Sequence, residues 1–137
     1  DLHSFPTRRS SDLVGGRSRR LGWLDLPVLR YTTMINGFDE VALCKIDKLD
    51  DLDSIKVCTG YQLDGRKIDH FPNTDELERV EPIYETLPGW RTPTTGIRKI
   101  ADLPENARNY IRFIEERIGA PIHYVGVGAD REALATR

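Results

Sequence analysis

The sequence predicts an α/β fold in which a mixed β-sheet, including a β-hairpin, is flanked by helices. Three observations lead to this prediction. Residues 104–118 carry an apolar stripe at helical spacing. Residues 54–63, SIKVCTGYQL, are rich in β-branched and aromatic residues and precede Asp64-Gly65, a turn pair typical of hairpins. Short apolar runs at residues 40–45 and 121–128 supply further strands.

The composition is that of one soluble globular domain. The chain has 137 residues, of which 39% are hydrophobic and 31% charged, and its formal net charge is −2. This balance argues against a general nucleic-acid surface, and no apolar run reaches the ~18 to 20 residues that span a bilayer. Cys44 and Cys58 lie in apolar stretches without CxxC spacing. We therefore expect both to be reduced core residues and the compartment to be cytoplasmic.

Residues 1–13, DLHSFPTRRSSDL, do not share the hydrophobic periodicity of the rest of the chain. The segment resembles translated sequencing-adapter read-through, and the chain does not begin with Met. The alternatives are a basic arm and a transit peptide, and Asp1 and Asp12 argue against the second. We predict an artefactual or disordered arm over residues 1–13 that makes few contacts. Residues 14–137 are then the folded segment, which starts within a larger protein.

The first helix is predicted over residues 24–35. Its apolar residues recur near helical spacing: Leu24, Val28, Leu29 and Ile35. Pro27 is tolerated in a first turn, and Asn36-Gly37 is a C-terminal stop. A strand over residues 40–45 and the hairpin of residues 54–63 and 66–69 follow.

The second helix is predicted over residues 104–118. Asp102 is the expected cap, Pro104 the first helical residue and Glu105 the third. The apolar stripe consists of Ala107, Tyr110, Ile111, Ile114 and Ile118 and ends at Gly119. Before this helix, residues 80–90, VEPIYETLPGW, predict an extended segment, and RTPTTG is a loop. After it, PIHYVGVG predicts a final short strand.

A Lys and an Asp two residues apart follow the strand at residues 40–45. Guanine presents its N1–H and its exocyclic amine on one edge, so the carboxylate of Asp47 can accept both hydrogen bonds, whereas adenine presents an acceptor at N1. The aliphatic stem of Lys45 can lie over the base. CKID thus resembles the [NT]KxD guanine-recognition motif, with Cys44 replacing Asn or Thr. The alternative is a solvated turn, since apolar-K-x-D is common at strand ends.

Two other stretches suit a ligand. GGRSRRLGW, residues 15–23, combines glycines with three arginines, which favours an anionic ligand. The alternatives are a solvated basic loop and a nucleic-acid partner, although the patch has no interleaved aromatic side chains and the rest of the chain is not basic. Gly126-Val127-Gly128 ends a strand and exposes backbone groups that can line a flat base or a ribose, but it is not a GxGxxG cradle.

Other site chemistry is not indicated. DKLDDLDS fails as an EF-hand because Leu52 and Cys58 occupy the positions of the required Gly and Glu, so we expect its acids to form a solvated turn. The histidines show no metal-ligand spacing, and no nucleophile motif is present.

Several stretches, taken in order, resemble the C-terminal portion of adenylosuccinate synthetase: GRSRRLGWLDLPVLRYTTMINGF, ALCKIDKLDDL, EPIYETLPGW, NYIRFIEERIG and VGVGADRE. The resemblance implies the C-terminal part of a larger P-loop-NTPase-like mixed sheet. It also implies an enzyme that uses GTP and Mg2+ to couple IMP with L-aspartate, forming adenylosuccinate. GTP phosphorylates O6 of IMP, and the aspartate amine displaces the phosphate. The full-length enzyme is expected to be a homodimer, with no nucleic-acid or membrane partner.

The resemblance also assigns roles to individual residues. The loop that closes over IMP and aspartate matches Gly15, Gly16, Arg17, Ser18 and Arg19. Within it, Arg17 matches the arginine that contacts IMP and aspartate, and Arg19 the one on the GTP side. GTP recognition is assigned to Arg19, Lys45, Ile46, Asp47, Gly126, Val127 and Gly128.

This chain departs from the family at two points, since Val14 and Gly15 replace threonines and Cys44 replaces Thr. The family's phosphate loop, catalytic aspartate, assisting histidine and Mg2+ site belong to its N-terminal part. We therefore expect no catalytic residue and no metal ligand in this chain, and no activity from it alone. The alternative function is a non-catalytic guanine-nucleotide-binding module.

Overall fold

A computed structural model describes residues 10–11, 18–19 and 21–137. The architecture is mixed α/β, with a four-stranded sheet, a three-stranded sheet and a short antiparallel ladder of β1 (Ser10–Ser11) and β2 (Ser18–Arg19). Most of the predicted arm at residues 1–13 lies outside the described residues, so its boundary stays a prediction.

Helix α1 spans Leu26–Asn36. Asp25 caps it by accepting a hydrogen bond from Val28 N at 3.1 Å, and Gly37 ends it in the left-handed conformation. The helix begins two residues later than predicted because Leu24–Asp25 forms a strand, β3, instead. Ile35, placed by the periodicity on the apolar face, is exposed.

The four-stranded sheet is built around β5 (Ser54–Leu63). β3 pairs with β5 in parallel, whereas β6 (Arg66–Ile68) and β7 (Glu81–Pro88) pair with it antiparallel. The predicted hairpin is confirmed: Asp64 and Gly65, with φ of 47° and 81°, form the turn between β5 and β6. A short helix that the sequence analysis did not predict, α2 (Thr74–Leu77), follows and is closed by a capping box at Asn73.

The three-stranded sheet brings two distant strand ends together. β4 (Val41–Leu43) is parallel to β8 (Ile122–Gly126), and Leu43 is in register with Val125. β9 (Leu134–Thr136), which was not predicted, pairs antiparallel with the other edge of β8. Because β4 and β8 run in the same direction, both end at the same edge of the sheet.

Helix α3 spans Glu105–Ile118 and carries the predicted stripe, every member of which is buried. Gly119 ends the helix in the left-handed conformation, as predicted. The predicted cap is wrong. Asp102 ends a short 3-10 helix (Ile100–Asp102), and the extended Leu103 separates it from α3, whose N-cap is Pro104.

The core lies between the helices and both sheets and includes Leu26, Val57, Ile111, Ile122 and Val125. Both cysteines are free. Cys58 is buried as predicted, but Cys44 is exposed, since it follows the last residue of β4 where the chain leaves the sheet. Within the part of the chain that is described, no helix is both long and apolar enough to cross a membrane.

Candidate functional site

The chain turns sharply where it leaves β4. Lys45 has φ 63° and ψ 36°, a left-handed conformation that costs a non-glycine residue roughly 1 kcal/mol or more. A 3-10 helix (Ile46–Leu49) follows at once, and its first residue, Ile46, is 1% exposed and packs into the core. The strained turn and the buried anchor place Asp47 at the edge of the sheet. Backbone outliers of this kind cluster at ligand sites.

The two carboxylate oxygens of Asp47 differ in their surroundings. The side chain is 11% exposed, and Oδ2 lies 3.1 Å from the ammonium of Lys48. Oδ1 is buried and accepts no hydrogen bond from any described residue. Lys48 is largely exposed, so the ion pair contributes little. A buried acceptor without a partner costs about 1 to 3 kcal/mol, so this carboxylate is left with unfilled hydrogen-bonding capacity among the described residues.

The end of β8 lies against this turn. A Cβ built on Gly126 would be 3.4 Å from both the backbone N of Lys45 and Cα of Cys44. The structure therefore places the backbone of Cys44 and Lys45 against Gly126, whereas the distance from Gly126 to the Asp47 carboxylate stays a prediction. Val127 is different, because its N–H donates to the carbonyl of Ala133 at 2.9 Å within the fold. Only part of the Gly126–Gly128 backbone is left to line a ligand.

The arginine loop is described only in part. Gly15, Gly16 and Arg17 lie outside the described residues. Ser18 and Arg19 form β2, whose backbone pairs with Ser10–Ser11. Where their side chains lie relative to Asp47 stays a prediction.

The acidic segment after Asp47 is not uniformly solvated, contrary to expectation. Oδ1 of Asp50 accepts from Trp90 Nε1 at 2.7 Å, and Oδ2 accepts from Thr94 N at 2.7 Å. The hydroxyl of Thr94 lies 3.0 and 3.1 Å from the two oxygens, and Thr94 is fully buried. Asp53 fits the prediction, since its side chain is exposed and pairs with Arg91 on the surface.

The loop that binds Asp50 is itself held on both sides. Gly89 N donates to the carbonyl of Asp53 at 2.9 Å, and a Cβ on Gly89 would lie 1.8 Å from the carbonyl oxygen of Leu52. On the other side, Asn106 Nδ2 of α3 donates to the carbonyl of Gly89 at 2.7 Å. The Trp90 ring also packs on Tyr110 with a centroid distance of 6.0 Å. Contacts therefore connect α3 through this loop to the segment that carries Asp47.

A second polar cluster lies between β3 and β5. The Tyr61 hydroxyl donates to Asp25 Oδ2 at 2.6 Å, and the Cys58 thiol donates to the carbonyl of Gly60 at 3.2 Å. Burial, followed by the nearby charge of Asp25, raises the pKa of Cys58 to about 11. Burial, assisted by the hydrogen bond to Asp25, also raises the pKa of Tyr61. Cys58 therefore stays a thiol at neutral pH, which does not suit a nucleophile.

A shallow cavity of about 240 Å³ opens on the hairpin side of α1. It is lined by Leu26, Arg30, Thr59, Lys67, Asp69, Glu85 and Arg117. Arg30 donates to the backbone carbonyl of Asp69, and Arg117 pairs with Glu85 at 3.3 Å, so both arginines already have partners within the protein. None of the residues predicted for GTP recognition lines it. Within the described residues, no three His, Cys, Asp or Glu side chains are grouped to hold a metal ion.

Comparisons with known proteins agree on one family. Residues 9–135 match the family model described as adenylosuccinate synthetase. Adenylosuccinate synthetase 1 of Methanosarcina acetivorans is 52% identical over 122 residues, which cover 89% of this chain and 29% of the relative. The synthetase of Schizosaccharomyces japonicus is also 52% identical, over 136 residues that cover 98% of this chain and 31% of the relative.

The fold matches a solved structure of the same description. Fully ligated adenylosuccinate synthetase from Plasmodium falciparum superposes with a TM-score of 0.84 at 35% identity, covering 89% of this chain and 30% of that chain. The chain thus spans less than a third of the length of these relatives.

Proposed function

The chain belongs to the adenylosuccinate synthetase family, and on this premise we propose that it carries the guanine-recognition site with which the ligase uses GTP. The observation that carries this proposal is the Asp47 carboxylate. One of its oxygens is buried without a hydrogen-bond donor among the described residues, at a strained turn on the edge of the sheet. A purine edge with two adjacent N–H donors matches this carboxylate.

Guanine is the nucleobase that fits. Its N1–H and exocyclic amine can both donate to Asp47, and each hydrogen bond to a charged acceptor contributes about 1.5 to 3 kcal/mol. Adenine would set the lone pair of its N1 against the carboxylate, so the donor that guanine supplies with its N1–H would be missing. In this proposal the stem of Lys45 covers one face of the base, and the backbone at Gly126, which adjoins Lys45, lines its edge.

The remaining substrates follow from the family reaction. GTP phosphorylates O6 of IMP, and the amine of L-aspartate displaces that phosphate to give adenylosuccinate. We assign contacts with IMP and aspartate to Gly15, Gly16, Arg17, Ser18 and Arg19, whose arginines present fork-shaped donors suited to phosphate and carboxylate groups. We place this reaction in the cytoplasm and expect a homodimer of the whole enzyme.

No three His, Cys, Asp or Glu side chains are grouped to hold a metal ion among the described residues, and the resemblance assigns the Mg2+ site and the catalytic residues of the family to its N-terminal part. We therefore assign neither Mg2+ coordination nor a catalytic acid or base to residues 21–137. Their role in the reaction is to bind and orient GTP.

Nucleotide binding by the chain tests this function. The 137-residue chain, labelled with 15N, is titrated with GTP and with ATP while the amide resonances of Lys45, Asp47 and Gly126 are followed. We expect the amide resonances of these residues to shift with GTP. The affinity for ATP should be at least about tenfold lower than that for GTP, since the loss of one charge-assisted hydrogen bond has this effect.

Asp47→Asn should remove most of the preference for GTP, and Asp53→Asn is the matched control, since it changes the same charge at an exposed position nearby. Equal affinity of the unsubstituted chain for GTP and ATP would contradict the proposed function. Turnover is measured separately in a chimera in which the chain replaces the matching part of the Methanosarcina acetivorans enzyme. Guanine binding with an inactive chimera would favour the non-catalytic module.

A further inference from the structure

Asp50 is a polar centre that the proposed nucleotide contacts do not use. Its carboxylate is partly buried and accepts hydrogen bonds from Trp90 Nε1 at 2.7 Å, Thr94 N at 2.7 Å and the Thr94 hydroxyl at 3.0 Å. Thr94 is fully buried. Such a convergence of three donors on one carboxylate fixes the position of its backbone.

The backbone of Asp50 belongs to the turn that carries Asp47. Its N–H donates to the carbonyl of Asp47 at 3.4 Å, and Lys48 N donates to the carbonyl of Lys45 at 3.2 Å. These are the long bonds of a 3-10 helix of four residues, a weak element by itself. The preceding left-handed Lys45 adds strain. The turn therefore needs support from outside its own hydrogen bonds.

We propose that Asp50 is a positioning residue for guanine specificity: by binding Trp90 and Thr94 it locks the turn in which Asp47 presents its carboxylate to the base. This inference rests on the proposed guanine site. It goes further because Asp50 does not touch the nucleotide. Asp50 nevertheless determines the geometry of the two hydrogen bonds between Asp47 and the base.

The loop that supplies the donors to Asp50 is held by α3. Trp90 is 7% exposed and packs on Tyr110 of α3, and the neighbouring Gly89 carbonyl accepts from Asn106 of the same helix. Asp50 thus connects the turn, through Trp90, to the buried face of α3. Recognition by two parallel hydrogen bonds tolerates little misplacement, so a small shift of Asp47 would weaken one bond more than the other.

A carboxylate is required at position 50 because both oxygens accept from an N–H group. Asn at this position would present its own amide donor to either Trp90 Nε1 or Thr94 N, depending on its orientation. Asp50→Asn should therefore release one side of the lock. Thr94→Val is the milder variant, because it removes only the hydroxyl and keeps the backbone N–H bond to Asp50.

The test compares GTP with ITP, whose base lacks the exocyclic amine and offers Asp47 only N1–H. Both nucleotides are titrated into the full 137-residue chain and into the Asp50→Asn, Thr94→Val and Asp53→Asn variants, with amide resonances as the readout. We expect the unsubstituted chain and Asp53→Asn to prefer GTP by about tenfold, the effect of one charge-assisted hydrogen bond. Asp50→Asn should reduce the preference to below about threefold, with a smaller loss in Thr94→Val.

The ratio of the affinities for GTP and ITP distinguishes a positioning role from general destabilisation, because partial unfolding lowers the affinity for both nucleotides by the same factor. Exchange of the Lys48 and Asp50 amides, which close the turn, should also accelerate in Asp50→Asn but not in Asp53→Asn. If Asp50→Asn does not fold, Thr94→Val decides. An unsubstituted chain that does not prefer GTP to ITP would overturn the proposed function. A preference that both variants retain in full would overturn only the role of Asp50.

Discussion

Asp47 and Asp50 are three residues apart, yet their carboxylates have opposite environments. Asp50 has a protein donor for each oxygen, whereas Asp47 has one oxygen near an exposed lysine and one buried oxygen without a described partner. A satisfied carboxylate stabilises the loops that it joins. An unsatisfied one lowers stability, and in the proposed site a donor from the base relieves this cost at Asp47.

Asp47→Asn should lower the affinity for GTP and also change which nucleotide the chain prefers. An amide keeps one acceptor but sets a donor against the exocyclic amine of guanine, so we expect GTP affinity to fall by about 2 to 4 kcal/mol. Xanthine carries a carbonyl where guanine has its amine and matches the new donor. Xanthosine triphosphate should therefore bind the variant better than GTP does, which competition titrations of both nucleotides would measure. Unchanged affinity for GTP would remove Asp47 from the site.

Cys58 should make the chain sensitive to alkaline pH. Burial raises its pKa from 9.0 to about 11, so the fold favours the protonated thiol. The stabilisation is complete below pH 9 and is lost as the pH rises towards 11, because the unfolded chain releases this proton first. Thermal melting between pH 8 and 11 should show a falling Tm, and Cys58→Ala should show a shallower fall. Identical slopes for the two proteins would contradict this account.

At the scale of elements, the sequence predicted those helices and turns that depend on residues close together in the chain. The α3 stripe and the Asp64-Gly65 hairpin depend on residue spacing and on backbone conformations that few residues adopt, so the sequence contains them directly. The exit of β4 is a further example, because the apolar run predicted a strand that ends close to Lys45, and the backbone of Lys45 lies beside Gly126.

The contacts that escaped prediction are long-range. Asp50 meets Trp90 and Thr94 across 40 and 44 residues, and no spacing rule links them. The N-cap of α3 was also predicted wrongly, at Asp102. The extended Leu103 separates Asp102 from the helix, and no periodic pattern in the sequence shows such a break. The Trp of the Pro-Gly-Trp turn was a possible signal, because a Trp N–H in a core needs an acceptor.

Gly89 joins the acidic segment to the loop before α3, and its lack of a side chain is essential. A Cβ would lie 1.8 Å from the carbonyl oxygen of Leu52, so backbone must move to admit one. Gly89→Ala should lower the free energy of unfolding by about 2 kcal/mol or more. Gly22→Ala is the control, since no described atom lies within 4 Å of its added Cβ. Urea unfolding of both variants is the measurement, and equal stabilities would contradict this role for Gly89.

On the scale of the whole molecule, a sheet edge and an apolar helix face are exposed that are normally buried in folded proteins. β4 pairs only with β8 among the described residues, although parallel pairs are normally buried within larger sheets. Large apolar side chains are also exposed in the second half of α1 and just after it: Tyr31, Met34, Ile35 and Phe38. The relatives are more than three times as long as the matched segment. The remainder of a synthetase chain has the size to cover both surfaces.

The isolated chain should therefore have marginal stability and no synthetase activity. Each 100 Å² of uncovered apolar surface forfeits about 2.5 kcal/mol, and a domain has only about 5 to 15 kcal/mol in total. We expect a broad thermal transition for the 137-residue chain and no adenylosuccinate formation from IMP, L-aspartate and GTP with Mg2+. Adding the unmatched part of the Methanosarcina acetivorans enzyme should sharpen the transition and restore turnover.

Met34→Asp should reduce the turnover and the sharpening of the thermal transition that the added part restores. It places a charge on the exposed apolar face of α1, where Met34 is 73% exposed. Asn109→Asp adds the same charge at an exposed position of α3 and should leave the restoration intact. A sharp, cooperative melt of the chain alone, unchanged by the added part, would show that residues 21–137 form an independent domain. Turnover by the chain alone, above that of a preparation without it, would overturn the other half of the prediction, because it would require a phosphate site and a catalytic base within this segment.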